Sequence, residues 1–153
     1  MKKLNIPVTM LGPARQCGTC TACCEGWLEG EAYGYNFFSG KMCHYKGENN
    51  CTIYKNRPEE PCKTYKCEWL VNHSIPEWMK PSLSKVIITK RLKKGITYLE
   101  VIEAGQKIDS TVLNWLFVEH LKGTIPNLAY KVNNGQNYLG SQDFIEMVQQ
   151  VDN

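Results

Sequence analysis

The chain has 153 residues, with 18 lysines and arginines against 15 aspartates and glutamates and a formal net charge of +3. Its 42% hydrophobic and 22% charged residues suit a single domain, 1–153, and exclude wholesale disorder, collagen and coiled coil. The charge is too small to point to nucleic acid or a membrane surface, and no stretch approaches the roughly 18 apolar residues that span a bilayer.

At the start, Met1 to Leu11 opens with Lys2 and Lys3, but Asn5 and Pro7 break its apolar region and no small-residue cleavage site follows. This predicts no signal peptide, no membrane contact and a cytoplasmic, reducing setting. Residues 17–70 then hold all eight cysteines among many glycines, asparagines and prolines, a composition that forms few regular elements without a staple. Thr19 to Glu25 predicts one or two helical turns ended by Gly26. Pro61 to Val71 predicts a helix with proline in its first turn and Glu59 and Glu60 just before it.

Residues 71–153 form a cysteine-free α+β part. Val86 to Thr89 is a β-branched strand, Lys93-Lys94-Gly95 a turn, and Ile96 to Ile102 a second strand, together a hairpin. Asp109 or Ser110 caps a helix over Thr111 to Lys122, ended by Gly123, with Leu113, Leu116, Phe117 and Leu121 on one face. Leu128 to Val132 and Gln136 to Leu139 flank Asn133-Asn134-Gly135, and Asn-Gly is a strong hairpin signal. Ser141 caps a last helix carrying Phe144, Val148 and Val151. The expected fold class is α+β: a small cysteine-rich, metal-stapled lobe packed on a ββαββα antiparallel sheet and helices.

The cysteine spacing carries the chemistry. Cys17, Cys20, Cys23 and Cys24 fall within eight residues, followed by Cys43, Cys51, Cys62 and Cys67. In a reducing compartment thiolates serve more often as metal ligands than as disulfides. Two cysteines three apart in a tight turn reach one tetrahedral ion, and Cys20 to Cys23 continues the arc. On one helical turn positions 17, 20, 23 and 24 share a face. Cys23 and Cys24 are neighbours whose Cα–Cβ vectors diverge, so one of them serves a second site, bridges, or stays free. Eight thiolates divide into two four-ligand sites, or into one cluster plus spare thiols. Spacing does not choose between Zn²⁺, placed narrowly first, and a [4Fe-4S] cluster.

Other readings of the same residues are four disulfides, Cys24 or Cys43 packed as inert small hydrophobes, or a catalytic thiol at Cys43 using His44. His44 reads better as a partly exposed strand histidine than as a ligand in a Cys3His site. His73 and His120 have no partners in sequence and read as structural or solvated.

The block Cys17-Gly18-Thr19-Cys20-Thr21-Ala22-Cys23-Cys24, followed by Cys51-Thr52-Ile53-Tyr54 with Arg57-Pro58, Cys62, Cys67 and Trp69-Leu70, resembles the CxxCxxCC family of zinc- or iron-chelating proteins, the YkgJ-type cysteine cluster proteins. Ile75-Pro76-Glu77 and Lys80-Pro81-Ser82 extend the likeness. What it implies is metal chelation, with Cys17, Cys20, Cys23, Cys24, Cys43, Cys51, Cys62 and Cys67 at the matching positions. It implies no single reaction: some relatives are called iron–sulfur oxidoreductases, and flagellin lysine N-methylases carry a similar motif. A Gly-rich loop after a strand, which would hold a nucleoside cofactor, is missing from this sequence.

Pro58 forces Arg57 out of the helical region. Arg57 then either faces an anionic thiolate cluster or pairs with Glu59 or Glu60 at the surface. Lys85, Lys90, Arg91, Lys93 and Lys94 make the first hairpin basic, which reads as a solvated tip more than as a nucleic-acid contact. Trp69, Trp78 and Trp115 are expected at the junction between lobes, and Tyr33, Tyr35, Phe37 and Phe38 over the cluster or against Trp27. Three functions follow. The first is a metal-binding cysteine-cluster protein whose metal is structural or handled. The alternatives are an iron–sulfur redox or transfer enzyme and a metal-stapled module that docks a protein or, less favoured, a nucleic acid.

Overall fold

A computed structural model describes residues 15–18 and 20–150. The fold is α+β. Its cysteine-rich part is mostly turns. A 3₁₀ turn spans Ala22–Cys24 and stops at Gly26, whose φ of 95° suits glycine. Thr19, at the start of the predicted turn, lies outside the described residues, and Gly18 at φ 58° keeps 17–24 from forming one helix. A small hairpin follows, β1 Gly30–Ala32 and β2 Tyr35–Phe37. Gly30 is required by close approach, because a Cβ there would sit 2.6 Å from the Phe37 ring.

The helix predicted over 61–71 is instead two pieces. Residues Glu59–Lys63 form one wide turn, and α1 covers only Glu68–Val71. Glu60 is extended at φ −101° and ψ 130°, as the following proline demands. Cys67 is extended too, at φ −65° and ψ 155°, so no continuous helix passes through it. After a 3₁₀ turn at Glu77–Met79, α2 spans Pro81–Ser84.

The remainder follows the ββαββα order. Strands β3, Val86–Lys93, and β4, Ile96–Glu103, pair antiparallel from Val86↔Glu103 to Lys93↔Ile96. β3 runs beyond Thr89 because its exposed half, Lys90 to Lys93, continues the ladder without being buried. Helix α3 covers Ser110–Lys122, the Thr111 N–H donates to Asp109 at 2.7 Å, and Gly123 closes it in the left-handed conformation. Strands β5, Leu128–Val132, and β6, Gly135–Leu139, form the second hairpin. Asn133 and Asn134 both take positive φ, 51° and 66°, the geometry of the turn that matches strand twist. In α4, Gln142–Gln149, the Phe144 N–H donates to the Ser141 hydroxyl at 3.2 Å. Phe144 and Met147 are its buried residues, Val148 is half-buried, and Val151 lies outside the described residues.

The sheet order is β3-β4-β5-β6. The expectation of a purely antiparallel sheet is corrected in the middle, where β4 and β5 pair parallel at Leu99↔Leu128 and Glu100↔Ala129. A parallel pair needs a crossover, and α3 supplies it. The predicted face of α3 also shifts. Val112 and Leu116 are buried, Leu113 and Phe117 pack beside them, and Leu121 is 83% exposed. The inward line instead reaches His120, whose Nδ1 lies 2.8 Å from the Ile125 carbonyl, which turns Leu121 outward by about 100°.

One core crosses from the sheet into the cysteine-rich part. Val86, Ile87, Ile88, Val101, Leu116 and Leu128 share it with Ala22, Cys67, Trp69, Ile75 and Met79. Among the described residues no helix is long and apolar enough to cross a membrane. Leu116→Ala is expected to lower stability by about 2–5 kcal/mol, and Leu121→Ala to change it by under about 0.5 kcal/mol. Urea midpoints of the two variants check this, and equal losses would contradict the helix orientation.

Candidate metal centre

All eight cysteines are free thiols, so the disulfide reading has no pairing in this structure. The chain brings them together from five stretches. Cys17 and Cys20 lie on a turn closed by the Cys20 N–H donating to the Cys17 carbonyl at 2.9 Å. Cys23 and Cys24 end the 3₁₀ turn. The Cys43 N–H donates to the Cys24 carbonyl at 2.9 Å, and Lys46 bridges to Cys51. Cys62 sits in the wide turn, and Cys67 precedes α1.

Mutual electrostatic effects sort them into two sets. The neighbours of Cys23 are Cys67 first, then Cys24, Cys20 and Cys17. Those of Cys24 are Cys43, Cys51 and Cys62, with Cys17 weaker. Cys62 responds to Cys43 and Cys51, and Cys67 to Cys17 and Cys20. The first set is thus Cys17, Cys20, Cys23 and Cys67; the second is Cys24, Cys43, Cys51 and Cys62. Packing agrees. Cys67 and Cys20 lean on the main core, whereas Cys43 packs with Cys24 and Cys62 in a separate small core of Ala32, Phe37 and Tyr45. Among the described residues no three Cys, His, Asp or Glu side chains stand at the spacing of ligands on one metal ion. The thiols are gathered in sets, and their sulfurs do not converge on a point.

Burial governs their protonation. Desolvation, then the neighbouring cysteines, pushes Cys24 up from 9.0 to about 12 and Cys23 further in the same direction. Burial also raises Cys17, Cys62 and Cys67. Against this, Arg57 and Lys80 favour the Cys17 thiolate, Arg57 favours that of Cys62, and the backbone N–H groups of Leu70 and Trp69 favour that of Cys67. Clustered thiols of this kind stay neutral alone and ionise when a bound cation supplies positive charge. The donor set, all free thiols with partly buried sulfurs, fits Zn²⁺ or an iron–sulfur cluster.

The surroundings of the sets were legible in part. Phe37 packs on Cys43, as an aromatic cover should, while Tyr33, Tyr35 and Phe38 are exposed. His44 is exposed, as the reading of it as a partly exposed residue expects, but it lies in a turn and not on a strand, and its ring stacks on Tyr35 at 3.8 Å between centroids. Trp69 is buried in the shared core, and Trp78 meets Trp115 edge-to-face at 6.5 Å. Glu59 pairs with Lys63 at 3.4 Å, not with Arg57.

Arg15 was missed. Its Nη1 donates to the carbonyls of Trp69 at 2.6 Å and Asn72 at 3.2 Å, and its Nη2 to Ile75 at 2.5 Å. Nε pairs with Glu77 at 3.1 Å. Arg15 thereby ties the start of the cysteine segment to the turn after α1. Lys80, also missed, lies over the Trp69 ring at 5.3 Å. No spacing signal marks either residue, since their partners are backbone carbonyls and a ring distant in sequence. Tyr65 adds a further tie, with its hydroxyl 2.7 Å from the Thr89 hydroxyl on β3.

No protein-family model, curated protein or solved structure matches the chain.

A pH dependence follows for the metal-free chain. Folding holds the Cys24 proton up to about 12, and unfolding returns the thiol to about 9.0. Above pH about 9 the unfolded chain binds fewer protons than the folded one, so stability falls as pH rises toward about 12. Urea midpoints in chelator and reductant are expected to drop progressively between about pH 8 and about 11, with a flat profile contradicting the burial of these thiols.

Proposed function

We propose that the protein is a metal-binding cysteine-cluster protein of the CxxCxxCC kind, whose metal is structural or handled as cargo. Cys17, Cys20, Cys23 and Cys67 hold one centre, and Cys24, Cys43, Cys51 and Cys62 a second. The observation that carries this reading is the packing of Cys20 and Cys67 on the main core and of Cys24, Cys43 and Cys62 in the small one, with the adjacent Cys23 and Cys24 influenced most by Cys67 and Cys43 respectively among the cysteines. Four thiols per set is the complement of a closed structural Zn²⁺ site and of a [4Fe-4S] cluster alike, and Zn²⁺ is kept first on the structural role proposed for the metal. The same sets accommodate the cluster by ligand type.

What the residues contribute is anchorage. Cys67 sits in the shared core and fixes the first set against β3 and Trp69. Cys43, Phe37 and Ala32 enclose the second set. The cysteine-rich segment itself supplies only short turns and a three-residue hairpin, so it has little regular framework of its own. Zinc bound by thiolates supplies on the order of 10–16 kcal/mol of folding free energy at neutral pH. That would more than compensate for the small second core.

The test is metal and sulfide analysis on protein purified without oxygen. About two zinc ions per chain, no labile sulfide and no colour are expected. Brown protein with iron and sulfide would move the assignment to the cluster, and protein that carries no metal as purified and takes up none when zinc is added would end it. Cys20→Ser and Cys62→Ser are each expected to lose about one zinc and keep the other. Retention of about two by either variant would remove that cysteine from the ligand set.

A further inference from the structure

Helix α3 covers one face of the four-stranded sheet, with Phe117 against Tyr130 at 5.4 Å between ring centroids. The register sets Thr89, Glu100, Ala129 and Tyr138 across the other face, and strand alternation adds Arg91, Ile102, Lys131 and Gln136 to it. Part of that face is covered. Phe144 of α4 lies 5.2 Å from Tyr98 and 6.0 Å from Tyr138, ring centre to ring centre, and Tyr65 meets Thr89. Beside these contacts lies a cleft of about 560 Å³, a size that small-molecule sites commonly have. Arg91, Glu100, Ile102, Lys131 and Gln136 form its floor, and Trp27 and Leu28 from the cysteine-rich segment form a wall. Among the described residues no cysteine lines it.

The floor offers donors that lack acceptors. Arg91 Nε donates to Glu100 Oε2 at 2.8 Å, and neither Nη group has a partner among the described residues. Lys131 is exposed and has none there either. The wall is flat and apolar. Gly105, at φ 101°, lets the Trp27 ring lie close, since a Cβ there would sit 3.4 Å from it. The indole Nε1 is buried with no acceptor among the described residues, and such a donor is costly to leave unpaired. Glu29, Glu103 and Lys107 complete the charges around the cleft. With Arg91, Lys131 and Glu100 they make three of each sign, a balance that disfavours a polyanion. On the floor itself Arg91 and Lys131 exceed Glu100 by one charge, which suits a single carboxylate. Arginine presents a planar fork to such a group and lysine a point charge.

We propose that this cleft binds an aromatic carboxylate, with its ring system along Trp27 and its carboxylate on the Nη groups of Arg91 and on Lys131 Nζ. The experiment titrates 2-naphthoate into the whole chain, labelled with ¹⁵N, and follows the indole N–H signals of the four tryptophans. The Trp27 signal, identified by its loss in Trp27→Phe, is expected to shift saturably at about one naphthoate per chain, while those of Trp69, Trp78 and Trp115 stay in place. Two changes are each expected to weaken binding about 10-fold or more. One is 2-naphthylmethanol in place of naphthoate, which removes the ligand's charge. The other is Lys131→Gln, which removes an exposed cation from the floor.

The proposal is overturned by the absence of a saturable Trp27 shift, by equal shifts at the other tryptophans, or by undiminished affinity in Lys131→Gln. It is also overturned if 2-naphthylmethylammonium binds more tightly than naphthoate, which would assign the cleft to a cationic ligand through Glu29 and Glu103. Should Trp27→Phe fail to fold, equilibrium dialysis of naphthoate against wild type and Lys131→Gln decides by itself: weaker binding by the variant supports the site, and equal binding refutes it.

Discussion

Two consecutive L-residues cannot send their side chains to one point, and the architecture of the cysteine-rich segment follows from that. Cys23 and Cys24 stand side by side at the end of a short 3₁₀ turn. Among the other cysteines, Cys67 influences the first most and Cys43 the second. Each choice draws a different length of chain inward. Cys67 brings the start of α1 and Trp69 with it into the main core. Cys43 brings the hairpin β1–β2 and the turn carrying Cys62 into a separate small core. The dipeptide is thus the point at which the segment divides.

Ties of ordinary chemistry then join the segment to the sheet. Arg15 spends its guanidinium on three backbone carbonyls and one carboxylate. Carbonyls left over at turns and helix ends need donors, and a planar fork satisfies several at once. Arg15 and Lys80 both lie over the Trp69 ring, with the charges 4.7 Å and 5.3 Å from its centre. Tyr65 reaches Thr89 on β3. These contacts hold the first cysteine set against the sheet irrespective of what the sulfurs bind. Among the described residues the second set has no such ties to the four-stranded sheet, and its cysteines pack instead in the small core of Ala32 and Phe37.

Local signals made the sheet half of the fold readable. Asp109 and Ser141 cap as their chemistry dictates, Gly123 ends α3, and the paired asparagines turn β5 into β6. Long-range choices were less readable. The parallel pairing of β4 with β5 depends on where α3 deposits the chain, and Leu121 fits a helical stripe but points to solvent because His120 takes the inward position. The break at Cys67 hides behind a run of good helix formers, and its extended backbone is set by placement of the thiol beside the core. In the cysteine segment the residue types announced their chemistry, yet the division into sets required three dimensions. Spacing indicated only that Cys23 and Cys24 must part.

Charge is the remaining constraint on such a segment. Thiols packed together gain from staying neutral, and their mutual repulsion grows with each one ionised. A bound divalent cation would reverse this locally and would still leave a four-thiolate site negative, so the balance would pass to the surrounding side chains. Few are placed to help: Lys80 and Arg57 act on Cys17, and Arg57 alone acts on Cys62. A lysine on a flexible stem can follow one sulfur or leave for water. An arginine stacked on Tyr54, with its backbone fixed by proline, has already lost that freedom. The cost of ordering it falls on the fold, so the run Tyr54 to Pro58 presents a cation already fixed in place within the cysteine-rich segment.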